Sequence, residues 1–147
     1  MAMRARQERA FVGTWSLVIL GKLGDTFYWA AMPDQALAIA ELYAAFNMRD
    51  LDAALSLMHP EVEWPNGMEG GYVHGRDGVR DYWSRQWRLI NPHVEPQDMT
   101  VAEDGRVVVA VHQTIRDLAG RVIKDETVRH IYRVEAGLIR GMEIQKP

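Results

Sequence analysis

After residue 33 the apolar positions of this chain follow first a helical period and then a strand-like one. Ile39, Leu42, Tyr43 and Phe46 fall at positions i, i+3, i+4 and i+7 of a segment that starts at Asp34. That spacing puts the four side chains on one face of an α-helix. The pattern therefore predicts a first helix that buries this face.

A second, shorter helix is predicted after Asp50, whose carboxylate can accept a hydrogen bond from a backbone N–H at the helix start. Pro60 is expected to end it, because proline cannot continue a helix. The next residues, 61–64, alternate charged and apolar, which indicates a half-buried strand. The apolar stripe of this second helix consists of Leu51, Ala54, Leu55 and Met58.

A third helix is predicted between a glycine-rich loop and the pair Asn91-Pro92. Asp77 is expected to cap its start, and the proline is expected to stop it. At helical spacing, Trp83 and Trp87 are interpreted as core residues that pack this helix on a sheet. The full stripe is Val79, Trp83, Trp87 and Ile90.

The rest of the chain has the pattern of an antiparallel meander. Strands are predicted over 94–103, 106–116, 121–134 and 138–145, and each connecting turn contains a glycine where a left-handed residue is needed. Three helices followed by such a meander predict an α+β fold, with the three N-terminal helices packed on one antiparallel sheet.

Composition narrows the classes of function. The chain has 147 residues, of which 48% are hydrophobic and 25% charged, so one globular domain with a real core is expected. Its 17 Lys and Arg residues are scattered, which predicts no nucleic-acid partner. No cysteine is present, so disulfides and thiolate chemistry are excluded, and a reducing, cytoplasmic location is expected.

Residues 1–31 differ in composition from the domain predicted over residues 32–147. Three arginines precede an apolar stretch over 11–20, which has some features of a signal peptide but is too short to span a membrane. Three interpretations stay open: a start site assigned too early or a loosely attached extension, an export signal, and a docked extra helix. No membrane partner is predicted.

The turn at Asp117 sets a strand register. Asp117 to Gly120 is typical of a type I turn followed by a glycine bulge, a loop that pairs Asp117 with Arg121. Counting back from this pair places His112 opposite Glu126. Since paired residues share one face of a sheet, the register decides which side chains meet.

On this count, one face of the sheet carries the residues with chemical potential. His112, Glu126, His130 and Tyr132 would lie together. The last hairpin would add Glu143 opposite His130, or send it to the other face if the count slips by one. The register thus predicts a cluster of histidines and carboxylates on one concave wall.

The opposite face is predicted to form a homodimer interface. On the same count Val107, Val109, Val111 and Ile115 alternate onto it. A row of β-branched residues would be an exposed apolar patch in a monomer, and a two-fold contact would bury it.

A histidine beside a carboxylate is the arrangement that a general base near neutral pH requires. His130 and His112 are therefore the candidate catalytic residues. The competing interpretation is structural, since a strand histidine is often only a hydrogen-bonded or interface residue. Nothing in the spacing of histidines and carboxylates indicates a zinc or iron site, so no metal is predicted.

Aromatic and apolar side chains near the loops are candidates for ligand contact. Trp64 ends a predicted strand beside the glycine-rich loop, so it is expected to form a wall of a pocket. The predicted ligand-binding residues are Trp64, Tyr132, Met58, Glu126 and Glu143.

Several landmarks over residues 34–145 resemble the SnoaL-like, ketosteroid isomerase-like branch of the nuclear transport factor two-like superfamily. They are 46–52, Val62-Glu63-Trp64, His74-Gly75-Arg76-Asp77-Gly78, Tyr82-Trp83 and His130-Ile131-Tyr132-Arg133. The resemblance implies a cone-shaped α+β barrel with a strongly bent sheet, an apolar pocket and dimers formed through the sheet. Activities in this branch include double-bond isomerisation, ring closure, dehydration and epoxide hydrolysis, besides pure binding roles.

The steroid isomerases use an aspartate base, a tyrosine and a protonated aspartate. The resemblance places these at about Trp64, near Leu42 beside Tyr43, and at His130 of this chain. Since an indole cannot abstract a proton, the aspartate-base mechanism is not expected here, whereas His130 stays a candidate acid or base.

The sequence therefore predicts a domain that binds a small apolar molecule. If it is an enzyme, it is expected to catalyse proton transfer without a cofactor, as an isomerase, cyclase or dehydratase does. The alternative is a non-catalytic ligand-binding or dimerisation module.

Overall fold

The computed structural model describes Trp15–Val18 and residues 34–146, which form an α+β fold. Seven strands make one sheet in the order β1-β4-β5-β6-β7-β2-β3. All neighbours are antiparallel except β2 and β7, which are parallel. The elements are β1 (Trp15–Val18), α1 (Asp34–Asn47), α2 (Leu51–Ser56), β2 (Met58–Pro65), β3 (Tyr72–His74), α3 (Gly75–Leu89), β4 (Asn91–Val101), β5 (Val107–Arg116), β6 (Val122–Glu135) and β7 (Leu138–Gln145).

The helices largely follow the predicted pattern. Asp50 caps α2, since the backbone N–H of Ala53 donates to its Oδ1 at 3.1 Å. Asp77 does not cap α3: the helix begins at Gly75, and its N-cap residue, His74, makes no side-chain cap hydrogen bond. The prediction of a cap at Asp77 was wrong because Asp77 already lies within the first turn.

Met58 belongs to a strand instead of the end of a helix. Helix α2 ends at Ser56, and Met58 opens β2 and pairs with Ile139 of β7. Pro60 prevents this segment from continuing as a helix. Pairing with a neighbouring strand instead gives its backbone N–H and C=O groups their hydrogen bonds. Met58 is fully buried in the core.

The core fills the space between the helices and the inner face of the sheet. Helix α1 contributes Ile39 and Leu42, α3 contributes Trp83, and β5 contributes the inward side chains Val109 and Val111. In the part of the chain that the structure describes, no helix is long and apolar enough to cross a membrane.

A bulge in β6 changes the predicted register of the central hairpin. The turn is as predicted, with the N–H of Asp117 bonded to the carbonyl of Arg121 at 2.9 Å. Arg116 then pairs with Val122, but Ile115 pairs with Lys124, so Ile123 is an extra residue. Beyond this bulge every pair is displaced by one position.

The displaced register separates the two candidate histidines. His130 pairs with Val109 on the inner face, whereas His112 pairs with Thr127 on the outer face. Because side chains alternate along a strand, the prediction that the two histidines share a face was wrong.

The same displacement moves the predicted dimer-forming valines. Val107, Val109 and Val111 point inward with His130 and are fully buried in the core. Ile115 lies on the same inner face. These residues therefore do not form an apolar patch on the outer face, as had been predicted.

A second bulge, in β7, decides which face of the sheet carries Glu143. The β6–β7 turn is the predicted two-residue turn, with Glu135 paired to Leu138. Val134 pairs with Ile139 but Arg133 pairs with Gly141, which leaves Arg140 as the extra residue. Glu143 consequently pairs with Ile131 on the outer face, the outcome expected if the count slipped by one.

Part of the N-terminal segment forms the edge of the sheet. Within the apolar stretch over 11–20, β1 pairs antiparallel with β4, with Trp15 opposite Val101. The other residues up to 33 lie outside the described residues, so the status of the extension over 1–31 stays a prediction.

Candidate functional site

A cavity of about 240 Å³ lies between the helices and the inner face of the curled sheet. Aromatic and aliphatic side chains form most of its wall, and two groups of polar side chains, one at each end, also line it. Its lining includes Leu42, Tyr43, Phe46, Trp64, Tyr82, Trp83, Gln86, Ile90, Gln113, Ile115, Lys124, Glu126, His130, Tyr132, Met142, Ile144 and Lys146. A mostly apolar hollow with few polar groups is the usual form of a small-molecule site.

At its inner end the cavity contains a buried hydrogen-bonded trio. The Tyr132 hydroxyl donates to the Tyr43 oxygen at 2.8 Å, and the Tyr43 oxygen lies 2.8 Å from His130 Nδ1. Helix α1 supplies Tyr43, and β6 supplies the other two residues, which both point inward because they lie two positions apart. His130 is only 5% exposed.

With the Tyr132 hydroxyl as the donor, the trio sets the tautomer of the imidazole. Since Tyr132 donates to the Tyr43 oxygen, the Tyr43 hydrogen is left to donate to His130 Nδ1. Nδ1 is then the acceptor, and a neutral imidazole carries its hydrogen on Nε2.

The other ring nitrogen, Nε2, has no hydrogen-bond partner among the described residues. His130 lines the cavity, so Nε2 is the polar atom of the trio that is left to bond a ligand.

Burial keeps all three side chains uncharged. Desolvation lowers the pKa of His130 to about 4. Desolvation likewise raises the pKa of Tyr43 and of Tyr132 well above the ordinary value. At neutral pH the inner end of the cavity is polar but carries no charge.

Aromatic rings form the wall next to the trio. Trp64 packs edge-on against Trp83, with ring centroids 5.5 Å apart, and its ring lies 6.2 Å from that of Tyr132. The ring of Phe46, on α1, also packs edge-on against that of Trp83, with the ring centroids 5.0 Å apart. Such a wall surrounds the imidazole with apolar surface, where hydrogen bonds are stronger than in water.

The second polar group lies at the outer end of the cavity. Gln113 donates to Glu126 at 2.6 Å, and Lys146 and Lys124 lie 3.5 Å and 3.7 Å from the Glu126 carboxylate. Burial raises the pKa of the Glu126 carboxyl group, but the Gln113 hydrogen bond and the two lysines together lower it by more. The pKa of Glu126 is therefore below its ordinary value. Glu126 is therefore ionised at neutral pH.

The structure brings together only some of the predicted site residues. His130, Tyr132, Trp64 and Glu126 line the cavity. Met58 does not line it and is instead packed in the core.

The other two predicted residues lie on the outer face. His112 Nε2 is 2.5 Å from Asp125 Oδ1 there, and Glu143 is exposed. Their positions follow from the bulges at Ile123 and Arg140.

The sequence analysis placed Tyr43 in a helix stripe and beside the position of the steroid isomerase tyrosine, but not among the site residues. A hydroxyl in an otherwise apolar stripe is a usable signal, since a buried tyrosine usually needs a partner. Its partner, His130, is 87 residues away, so the pair itself was not visible in the sequence. Gln113 was missed because the predicted register put it on the face opposite His130. Lys124 lies on the predicted face but, like Lys146, was not considered as a site residue.

The described residues contain no group of three or more His, Asp or Glu side chains placed to hold a metal ion.

Helices packed on one curled, unclosed sheet around an apolar cavity define the α+β cone class of small domains. The chain belongs to the SnoaL-like domain family, whose characteristic sequence pattern matches residues 39–142. No curated protein matches it in sequence.

Solved structures share this fold. TerC, co-crystallised with polyporic acid, is 27% identical, with 78% of this chain and 92% of TerC covered at a TM-score of 0.69. A Burkholderia pseudomallei NTF2-like protein of unknown function is also 27% identical. The match covers 79% of this chain and 92% of that protein, at a TM-score of 0.69. A Mycobacterium tuberculosis protein in complex with estradiol-17β-hemisuccinate is 17% identical, and the match covers 77% of this chain and 93% of that protein at a TM-score of 0.68. At this identity the similarity shows the fold alone.

Proposed function

We propose that this protein binds a compact, largely apolar carbonyl compound and promotes proton transfer next to its oxygen without a cofactor. The observation that carries the proposal is the buried side chain of His130, which is bonded through Nδ1 to Tyr43 and lines an apolar cavity. With Nδ1 occupied by the Tyr43 hydroxyl, Nε2 carries the hydrogen that a ligand can accept. The crystallisation of TerC with polyporic acid supports a small-molecule ligand.

The proposed chemistry is stabilisation of negative charge on the substrate oxygen. A neutral imidazole N–H can polarise a carbonyl, as the neutral histidine of triosephosphate isomerase does. Hydrogen-bond donors that are already in place cost no reorganisation when the charge develops, and a site that excludes water makes them stronger. The proton on the carbon next to the carbonyl passes to a solvent water molecule, because the proposed imidazole already carries a hydrogen on Nε2. Enolate formation of this kind is a step shared by isomerisation, dehydration and cyclisation.

Tyr43 and Tyr132 act on the imidazole instead of on the substrate in this proposal. Tyr43 occupies Nδ1 and so keeps the hydrogen on Nε2, while Tyr132 keeps the Tyr43 hydroxyl pointing at the ring. They are positioning residues, and His130 is the proposed catalytic residue.

A non-catalytic ligand-binding module is the second candidate. The observation that favours it is that no described carboxylate bonds to His130: Glu143 faces outward, and Glu126 is held by Gln113. Without a partner carboxylate the imidazole lacks the arrangement that raises its basicity.

One experiment separates the two candidates without knowledge of the natural substrate. The probe is para-acetylbiphenyl, a flat ketone, whose binding is measured by titration calorimetry. Enolisation is measured by proton NMR as protein-dependent exchange of the acetyl protons in D₂O. The variants are His130→Gln, Tyr43→Phe and, as matched control on the outer face, His112→Gln.

We expect the wild-type protein to accelerate exchange and His130→Gln to reduce this acceleration roughly 10²–10⁴-fold at unchanged folding. Tyr43→Phe should reduce it less, and His112→Gln should not reduce it. Ketone binding without accelerated exchange would support the binding module. Equal exchange in wild type and His130→Gln would overturn the role of His130.

We also propose a homodimer formed through the outer face of the sheet. The outward residues include the half-buried pair Val108 and Ile131 with Ala110 beside them, a smaller apolar patch than the one predicted. Sedimentation of a stable monomer at micromolar concentration would contradict this. The cytoplasmic location stays a prediction.

A further inference from the structure

The cavity has two chemically different ends, joined by one strand. Lys124, Glu126, Val128, His130 and Tyr132 alternate along the inner face of β6. His130 is buried at the inner end, whereas the side chains of Lys124 and Lys146 are 49% and 61% exposed. The outer end, at Lys124, Glu126 and Lys146, is therefore where the cavity opens to solvent, and it is called the mouth below.

The distance between the two ends sets the length of a ligand that could contact both. Residues of a strand rise about 3.3 Å each, so Glu126 and His130, four positions apart, are separated by about 13 Å. The hollow between them is mainly apolar, with Trp64, Met142 and Ile144 in its wall. An elongated molecule fits this shape better than a round one.

The mouth carries more positive than negative charge. Among the described lining residues Glu126 is the only carboxylate, and two lysines face it at 3.5 Å and 3.7 Å. Gln113 already donates to the same carboxylate at 2.6 Å. One lysine is enough to balance Glu126, so the charges of the described lining residues sum to a net positive charge at this end. Both lysine side chains are exposed enough to move toward a ligand.

We infer that the natural ligand is an elongated apolar carbonyl compound with a carboxylate or similar anionic group at its trailing end. The carbonyl oxygen lies at His130 Nε2, and the anionic group lies at the mouth between Lys124 and Lys146. This inference rests on the proposed function, because it assumes that the ligand enters the cavity with its oxygen toward His130.

The test compares two probes that differ only at the trailing end. The probes are para-acetylbiphenyl and the same ketone with a carboxylate at the far para position, titrated calorimetrically at low and high salt. The mouth variant is Lys124→Met with Lys146→Met. The matched control, Arg129→Met with Arg133→Met, removes two positive charges from the outer face of the same strand.

We expect the wild-type protein to bind the carboxylate about fivefold to tenfold more tightly, because two exposed charge contacts contribute a modest gain each. The mouth variant should lose this preference while binding the neutral ketone as before, and the control should keep it. Glu126→Gln should bind the carboxylate several-fold more tightly, since it frees both lysines. High salt should shrink the preference.

The outcomes separate this inference from the proposed function. Equal binding of the two probes, or a preference that persists in the mouth variant, would overturn the anionic-end inference and leave the proposed function intact. If neither probe binds, the proposed ligand class is wrong, and the inference falls with it.

Discussion

His130 is the residue on which the proposed chemistry depends, and its surroundings explain why it is neutral. The side chain is buried without a charged partner, so desolvation alone moves its pKa, from the ordinary 6.5 to about 4. A neutral histidine in this place costs little as long as both nitrogens are satisfied. Tyr43 satisfies one of them, and a bound ligand would satisfy the other.

The depressed pKa predicts a specific dependence of stability on pH. Above pH 6.5 the imidazole is neutral in both the folded and the unfolded chain, so it contributes no pH dependence. Between pH 6.5 and about 4 the unfolded chain takes up a proton that the folded protein does not. Relative to His130→Gln, the wild-type free energy of unfolding should therefore fall by about 2–3 kcal/mol from pH 7 to about pH 4.5.

Urea unfolding of both proteins at the two pH values measures this difference. Comparing wild type with His130→Gln cancels the titration of the groups that the two proteins share. A difference that does not change with pH would show that His130 is protonated in the folded state.

At the scale of elements, two bulges on either side of the cavity decide which side chains line it. Ile123 is the extra residue of β6 and Arg140 that of β7. Each displaces the pairing by one position, which exchanges the inner and outer faces relative to a regular hairpin. The bulges thus send His112 and Glu143 outward and bring Gln113 inward.

Deletion of Ile123 should be well tolerated. Without it, Val122 still pairs with Arg116 and Lys124 still pairs with Ile115, so no inward residue changes face. Because Ile123 is 54% exposed, the free energy of unfolding should fall by about 1 kcal/mol or less, and ketone binding should persist.

Deletion of Thr127 is the matched comparison within the regular part of the same strand. Removal of a residue there would turn Lys124 and Glu126 outward, or force the inner residues to shift. A loss of more than about 2 kcal/mol, or loss of carboxylate binding, is expected. Equal effects of the two deletions in thermal melts would contradict the assigned bulge.

At the scale of the whole molecule, residues 34–146 supply three helices and six strands, and residues of both kinds of element line the cavity. Strand β1 pairs with the outer edge of β4 over four residues. An edge strand of this length covers the exposed backbone groups of its neighbour.

A protein that starts at Met32 should therefore fold and bind like the full chain. Its free energy of unfolding should be lower by less than about 2 kcal/mol, which corresponds to a few degrees in the melting temperature. Circular dichroism melts of the two proteins give this difference. A larger loss would show that residues 1–31 bury substantial apolar area against the domain.

Local patterns in the sequence determined the three helices, the strands β2 and β4 to β7 and the α+β class, whereas the short strands β1 and β3 were not predicted. The helix from Asp34, the cap at Asp50 and the turn at Asp117 form as predicted, because helical period, capping and turn chemistry act over a few residues. Trp64, Tyr132 and His130 line the cavity, and their roles toward a ligand stay predictions.

Only the tertiary structure decided which residues meet in the cavity. The bulges at Ile123 and Arg140 have no local signal, since neither residue is a glycine or proline, and a one-residue shift exchanges whole faces. The bond between Tyr43 and His130 joins a helix and a strand 87 residues apart. Such contacts depend on how the helices pack across the curled sheet, and that packing is set by the entire core instead of by any short segment.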